Sequence, residues 1–232
     1  MASIHWIGDS TVAFNNIFSY PQTGIGQVFN LFLKPDHNIR NHAKNGRSTK
    51  SFIDQSLLVP VYFELKENDF LFIQFGHNDE KKSDLSRYTD PNTTFKENLI
   101  KFINVANSKK ATPVLITPLE RRWFKEGKLI NSNHLPYVNS IKQVAKEYNV
   151  VYIDLFQESR DLLLKLGDTK SKSLFMQLKS NQWENYPNGI DDNTHLTHKG
   201  AVTFASIIYK HLLSKGEPFD KILLDNKGKN EI

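Results

Sequence analysis

Ile4-His5-Trp6-Ile7-Gly8-Asp9-Ser10-Thr11 reads as a short apolar run that stops abruptly in a small, polar turn. So short a run, closed by glycine and acid, suits a strand buried on both faces better than a helix. The pattern recurs, weakly at Asn38–His42 and strongly at Phe70–Phe75, Pro113–Thr117 and Val150–Ile153. Helical periodicity fills intervals between these runs. Phe95, Leu99, Phe102, Ile103 and Ala106 share one face of residues 93–109, and Leu135, Val138, Ile141, Ala145 and Tyr148 share one face of 134–148. Val202, Ala205, Ile208 and Leu212 mark a last helix over about 198–214. Strand followed by helix, repeated, predicts a parallel sheet covered by helices on both faces. In such a sheet ligands bind beyond the carboxyl ends of the strands, so the residues just after each apolar run carry the functional question. Residues 168–191 and a polar tail from about 226 are the least regular parts.

At 232 residues and 39% hydrophobic content, the sequence predicts a single domain over 1–232 with a substantial core. The net charge is +5, with a pI near 9.2, yet basic residues are scattered and the densest clusters are the Lys pairs at 81–82 and 109–110. That spread describes a solvated surface, with a weak preference for anionic ligands as the sharper alternative. No basic stripe is interleaved with aromatics, so no nucleic-acid partner is expected. Cysteine is absent, which excludes disulfides, thiolate zinc sites and cysteine nucleophiles. Neither a signal-peptide pattern nor a membrane-length apolar stretch is present. With Met1 taken as the natural start, the expected location is cytoplasmic, and the sequon Asn92-Thr93-Thr94 is then incidental. There is no glycine-rich phosphate loop, no Gly-x-Ser-x-Gly elbow and no His-Glu-x-x-His helix, and no cofactor or metal is expected.

Four strand-end or helix-entry segments carry chemistry. Gly8-Asp9-Ser10-Thr11 can present a hydroxyl at a sharp strand exit, with a following helix aiming its positive end at it; the same tripeptide is also an ordinary turn. Asn45-Gly46-Arg47-Ser48 contains a glycine that permits positive φ and close approach to a backbone N–H. Gly76-His77-Asn78-Asp79 offers a neutral amide donor for developing negative charge. In Asp192-Asn193-Thr194-His195, just before the last helix, an Asp three residues ahead of a His can accept its imidazole N–H and fix its tautomer. Each has a plain structural reading alone. Together they supply a nucleophile, a base, an orienter and three oxyanion donors.

These blocks resemble those of the GDSL-type or SGNH hydrolases, which carry Ser, Gly, Asn and His in this order. Gly8-Asp9-Ser10, Gly46, Gly76-His77-Asn78-Asp79 and Asp192-Asn193-Thr194-His195 match them from Ile4 to about Leu213. The resemblance implies a flavodoxin-like three-layer α/β/α fold with a parallel sheet of about five strands. It also implies Ser10 as nucleophile, His195 as base and Asp192 as orienter, with Ser10 and Gly46 backbone N–H groups and the Asn78 side chain forming the oxyanion hole. Gly-Asp-Ser-Thr, Asp-x-Thr-His and Pro118-Leu119-Glu120-Arg121-Arg122 are most similar to rhamnogalacturonan acetylesterases and their bacterial intracellular relatives. That branch removes acetyl groups from pectic sugars, so an acetylated oligosaccharide, in this branch an anionic uronide, is the implied substrate. His198 departs from the branch, which usually has Pro, Asn or Glu there.

Four further residues are candidates for substrate binding. Arg121 or Arg122 could grip a galacturonate carboxylate, or the two could simply hold neighbouring acids. His134 could border the pocket at a helix start. Trp183, with Tyr186, could stack on a sugar or close the core beneath a loop. Rival readings stay open. A lipid or thioester hydrolase would use the same triad but need a long apolar groove, and no long apolar loop is evident near the blocks. A metal-dependent phosphoesterase would use Asp191, Asp192, His195 and His198. A non-catalytic sugar-binding module would keep the fold alone.

Overall fold

The computed structural model describes residues 2–225, so the tail expected from about 226 lies outside the described residues. In chain order the elements are β1 (Ser3–Gly8), α1 (Ile25–Val28), β2 (Asn38–Asn41), α2 (Thr49–Asp54), α3 (Leu58–Glu64) and β3 (Phe70–Gln74). They continue with α4 (Thr94–Ser108), β4 (Thr112–Ile116), the short hairpin β5 (Phe124–Lys125) and β6 (Lys128–Leu129), and α5 (Leu135–Glu147). The chain goes on through β7 (Val151–Ile153), α6 (Leu155–Ser171), β8 (Phe175–Leu178), β9 (Ile190–Leu196) and α7 (His198–Ser214).

β2, β1, β3, β4 and β7, in that order, form one parallel sheet. Side chains alternate across it, as the two-residue period of a strand requires. On β3, Phe70 and Phe72 enter one core with Trp6, Val114 and Phe204, whereas Leu71 and Ile73 enter the other with Phe95, Phe102 and Ile141. α1, α6 and α7 cover the first face, and α2, α4 and α5 the second. The result is the expected three-layer α/β/α arrangement with five parallel strands. Among the described residues, no helix is long and apolar enough to cross a membrane.

Several elements went unread in the sequence, among them α2, α3 and α6. α2 and α3 are only six and seven residues long, too short for a hydrophobic stripe to declare itself. α2 is set by its cap: Ser48 Oγ accepts the Ser51 N–H at 3.1 Å, and Ser51 Oγ accepts the Ser48 N–H at 2.9 Å. α6 carries apolar residues on more than one side, and Leu164 is exposed. The segment 168–191, read as irregular, contains the end of α6 and all of β8, which pairs antiparallel with β9.

Phe72 is fully buried, with edge-on contacts to Trp6 (5.2 Å) and Phe29 (6.0 Å). Phe72→Ala is expected to cost about 3–5 kcal/mol and lower the thermal midpoint by on the order of 10 °C, measured by calorimetry.

Candidate active site

Gly8 closes β1 because nothing larger fits: a Cβ there would lie 2.7 Å from the Gln74 carbonyl oxygen, its neighbour on β3. The chain then turns through Asp9, whose carbonyl accepts the Val12 and Ala13 N–H groups at 3.1 and 3.0 Å. Asp9 Oδ1 takes the Thr11 N–H and hydroxyl at 2.9 and 2.8 Å. Ser10 is thereby held half-buried at the sheet's carboxyl end. The helix expected behind it is absent: residues 10–13 form a turn, and α1 begins only at Ile25. The Asp9 carbonyl, not a helix dipole, organises the exit.

His195 arrives from the other end of the chain. β8 and β9 pair at Phe175–Leu196 and Gln177–Asp191, so the four residues Asp192–His195 stand opposite Met176 alone. The Asp-x-x-His block is thus a large bulge in a two-stranded ribbon, and bulges re-aim side chains. Within it Asp192 Oδ1 accepts the Thr194 and His195 N–H groups at 2.7 and 2.9 Å, while Oδ2 lies 2.6 Å from His195 Nδ1. Burial alone would raise the Asp192 carboxyl, but the His195 hydrogen bond, its charge and the two backbone donors bring it down to about 2. An ionised Asp192 can only accept, so it fixes the proton on Nδ1 and leaves Nε2 to accept. That Nε2 lies 2.9 Å from Ser10 Oγ. The geometry can remove the serine proton and return it elsewhere.

Gly46 and Asn78 come to the same end of the sheet. Lys44 N–H bonds to the Gly8 carbonyl at 3.1 Å, and Asn78 Nδ2 donates to the Arg47 carbonyl at 3.1 Å. Gly46 has φ +75°, the left-handed region that glycine enters without a Cβ penalty. An amide nitrogen has two protons, so Asn78 retains one N–H beyond the Arg47 bond. The loop behind it rests on buried Asp79, which accepts from the Thr49 N–H (3.0 Å), the Thr49 hydroxyl (2.6 Å) and the Thr89 hydroxyl (2.9 Å).

The two arginines proposed for substrate are turned inward. Arg122 is buried: its N–H donates to the Asn193 carbonyl at 2.9 Å, Nη1 to Asn193 Oδ1 at 2.7 Å and Nε to Ser171 Oγ at 3.1 Å, and Nη2 pairs with the Asp168 carboxylate. Arg121 bonds Thr194 Oγ1 through Nη1, and through Nη2 the Glu80 carboxylate (3.1 Å) and the His77 carbonyl (3.3 Å). Consecutive arginines therefore clamp consecutive residues of the Asp192–His195 bulge. His134 is also enclosed, with Nδ1 2.7 Å from Glu80 Oε2 and its ring edge-on to His77 at 4.4 Å. His77 is pushed down to about 4 by burial and then by His134, so near neutrality it faces Asp9, 3.3 Å away, uncharged. Neither Arg122 nor His134 has surface to offer a substrate.

Trp183 is half-buried, edge-on to Tyr20 at 5.4 Å, beside a depression of about 360 Å³ that it shares with exposed His198. Tyr186 hydroxyl bonds the Ser19 carbonyl at 3.0 Å, and Asn185 Nδ2 bonds the Tyr20 carbonyl at 2.8 Å, so this loop braces the one that follows Ser10. That second loop exposes Phe14, Ile17 and Phe18, an apolar surface near the blocks that the sequence did not suggest. Asp191 is tied to Gln177 Nε2 rather than joined to His198. Among the described residues, the group of three His or acidic side chains whose ligand atoms converge within 4.8 Å is His5, His42 and Glu64. His5 Nδ1 lies 3.0 Å from His42 Nε2 with rings nearly coplanar, an imidazole–imidazole hydrogen bond. Two further residues went unread: Glu80, which joins Arg121 to His134, and Arg87, whose Nη1 lies 3.4 Å from Asn78 Oδ1.

The profile of the GDSL-like lipase/acylhydrolase family matches residues 4–208. The chain is 37% identical over 225 residues to rhamnogalacturonan acetylesterase RhgT of Bacillus subtilis (strain 168), covering 97% of this chain and 95% of that protein. It is 34% identical over 224 residues to the probable rhamnogalacturonan acetylesterase YesY of the same strain, covering 97% and 98% respectively. Its fold is similar to the crystal structure of YxiM from Bacillus subtilis, with TM-score 0.79 and 24% identity over 94% of this chain and 57% of that one. It is also similar to Axe2, an acetylxylan esterase from Geobacillus stearothermophilus, with TM-score 0.64 and 15% identity over 90% and 93%.

Removing the Asn78 amide should lower kcat by on the order of 100- to 1000-fold in Asn78→Ala, read from steady-state turnover of an aryl acetate. Asp192 also gives a pH signature. Its folded-state carboxyl is depressed to about 2, so its contribution is present above the unfolded value near 3.8 and is lost as pH falls toward 2. Asp192→Asn should flatten the denaturant-midpoint profile over that window.

Proposed function

The chain belongs to the GDSL-like lipase/acylhydrolase family and is a carboxylic ester hydrolase, and from that premise we propose that it is a serine acetylesterase acting on acetylated pectic, rhamnogalacturonan-type oligosaccharides. The observation that carries the proposal is the hydrogen-bonded line from Asp192 through His195 to Ser10, with separations of 2.6 and 2.9 Å. In this reading His195 Nε2 takes the Ser10 proton as Oγ attacks the acetyl carbonyl. The negative charge that develops on the carbonyl oxygen is stabilised by hydrogen bonds from the Ser10 and Gly46 N–H groups and the Asn78 amide. His195 then gives its proton to the departing sugar oxygen, and the Ser10–sugar exchange leaves an acetyl-serine. His195 then takes a proton from water as its oxygen attacks the acetyl carbonyl, and gives that proton to Ser10 Oγ as the Oγ–carbon bond breaks and acetate leaves. Asp192 remains ionised throughout and stabilises the imidazolium. The pectic substrate is supported by two relatives named for that activity, similar over nearly their whole lengths.

A second reading has one observation in its favour. Phe14, Ile17 and Phe18, on the loop after Ser10, are 69%, 71% and 81% exposed, and such a surface suits a longer acyl chain. One assay set separates the two. The acetylesterase reading expects p-nitrophenyl acetate to be preferred over the octanoate, and Ser10→Ala to lose roughly 10⁴- to 10⁶-fold in turnover. It also expects acetate to be released faster from acetylated rhamnogalacturonan oligomers than from acetylated xylan or chitin fragments. Retained activity in Ser10→Ala would remove the nucleophile assignment, and a preference for octanoate would favour the acyl-chain reading.

A further inference from the structure

With Arg121 and Arg122 consumed by the bulge, two cations stand beside the oxyanion donors: Arg47, whose Nη1 turns back to the Asn45 carbonyl at 2.9 Å, and Arg87, whose Nη1 reaches Asn78. The Arg87 side chain is 35% exposed, and its Nε is fixed 2.8 Å from Asp84 Oδ2. Asp84 is itself held by the Ser86 hydroxyl (2.5 Å) and N–H (3.1 Å), which together with Arg87 keep its carboxyl below the usual range. Arg87 Nη1 reaches Asn78 Oδ1 at 3.4 Å, and a Cβ built on Gly46 would lie 3.6 Å from the same nitrogen. The guanidinium therefore stands over the two residues that frame the oxyanion side. Of its five N–H groups, one meets Asp84 and one meets Asn78. Nη2 has no protein partner among the described residues, so three N–H groups remain for a ligand. The surroundings are cationic too. Lys81 and Lys82 are exposed on the same turn, and Lys81 is lowered first by burial and then by the charge of Arg87. Of the other acids in the surrounding sequence, Asp90 accepts the Asn92 N–H at 2.8 Å, and Glu80 is already matched by Arg121 and His134.

We propose that Arg87 is the carboxylate-recognition residue of the substrate cleft, its free guanidinium edge taking a uronate carboxylate of the oligosaccharide whose acetyl ester lies at Ser10. This rests on the esterase reading above and names the charged class of substrate for it. A planar fork matches a carboxylate in two parallel hydrogen bonds, which a point-charge lysine cannot do. Asp84 and Asn78 hold the fork in place beforehand, so little side-chain freedom is lost when the ligand arrives.

Binding is to be read by calorimetry in the Ser10→Ala protein, where turnover does not consume the ligand. The probes are an acetylated rhamnogalacturonan oligomer and its carboxyl-reduced counterpart. Adding Arg87→Gln is expected to weaken the uronate oligomer about 10- to 100-fold while the reduced oligomer changes less than about threefold. Arg87→Lys, which keeps the charge and loses the fork, should fall between. Equal weakening of both probes, or none, would overturn the assignment and leave Arg87 a prop for Asn78. If circular dichroism shows Arg87→Gln unfolded, Arg87→Lys decides by the same criterion: selective loss supports, equal loss or none overturns. Turnover of p-nitrophenyl acetate by the unaltered protein is a separate arm. Its absence would sink the esterase reading, while the binding contrast would still judge Arg87.

Discussion

A 2.9 Å contact between Ser10 and His195 joins residues 185 positions apart, and both of its ends must be rigid for it to hold. Ser10 inherits its rigidity from the middle of the sheet, where β1 is paired on both sides and Gly8 lets β3 approach closely. His195 has no such frame. It sits on a bulge in a two-stranded ribbon outside the main sheet, a setting that is marginal by itself. The clamp from Arg121 and Arg122 supplies what the ribbon lacks, tying Thr194 and Asn193 to the loop after β4 and to the end of α6.

The clamp is expensive chemistry. Buried ion pairs recover little of the cost of desolvating their charges, whereas removing one partner strands the other. Arg121 and Glu80 have side chains only 12% and 9% exposed, and Glu80 also meets His134. Such a network contributes geometry more than net stability. Its worth here is that Glu80, two residues beyond Asn78, and Thr194, one before His195, are joined through a single guanidinium. The Asn78 side and the His195 side of the site are held to one another.

Much of this was legible in the sequence, for a physical reason. Strands buried on both faces read as unbroken apolar runs, and β1, β3 and β4 stand in the chain almost as the periodicity predicted them. The residue types at their carboxyl ends could be picked out because an open parallel sheet gathers those ends on one side. β9 was illegible: Ile-Asp-Asp-Asn-Thr-His-Leu has no alternation to read, because most of it is bulge. The inward turn of Arg121 and Arg122 was equally hidden. Their partners lie 41 to 73 residues away, and nothing local distinguishes an arginine that will be buried from one at a cleft mouth. Arg87 escaped notice because its neighbours Gly46 and Asn78 come from two other segments of the chain.

The ribbon has a mechanical consequence. β9 is pinned near its end by pairing with Phe175 and by the two arginines, while residues 179–189 hang from the far end of the same ribbon. The anchoring points of the ribbon lie closer to His195 than that stretch does, so its outer part can move without displacing the histidine, while Asn185 and Tyr186 still tie it to the loop after Ser10. The fold thus sets the Ser10–His195 contact apart from the rim that residues 179–189 form, and a change at one need not be transmitted to the other.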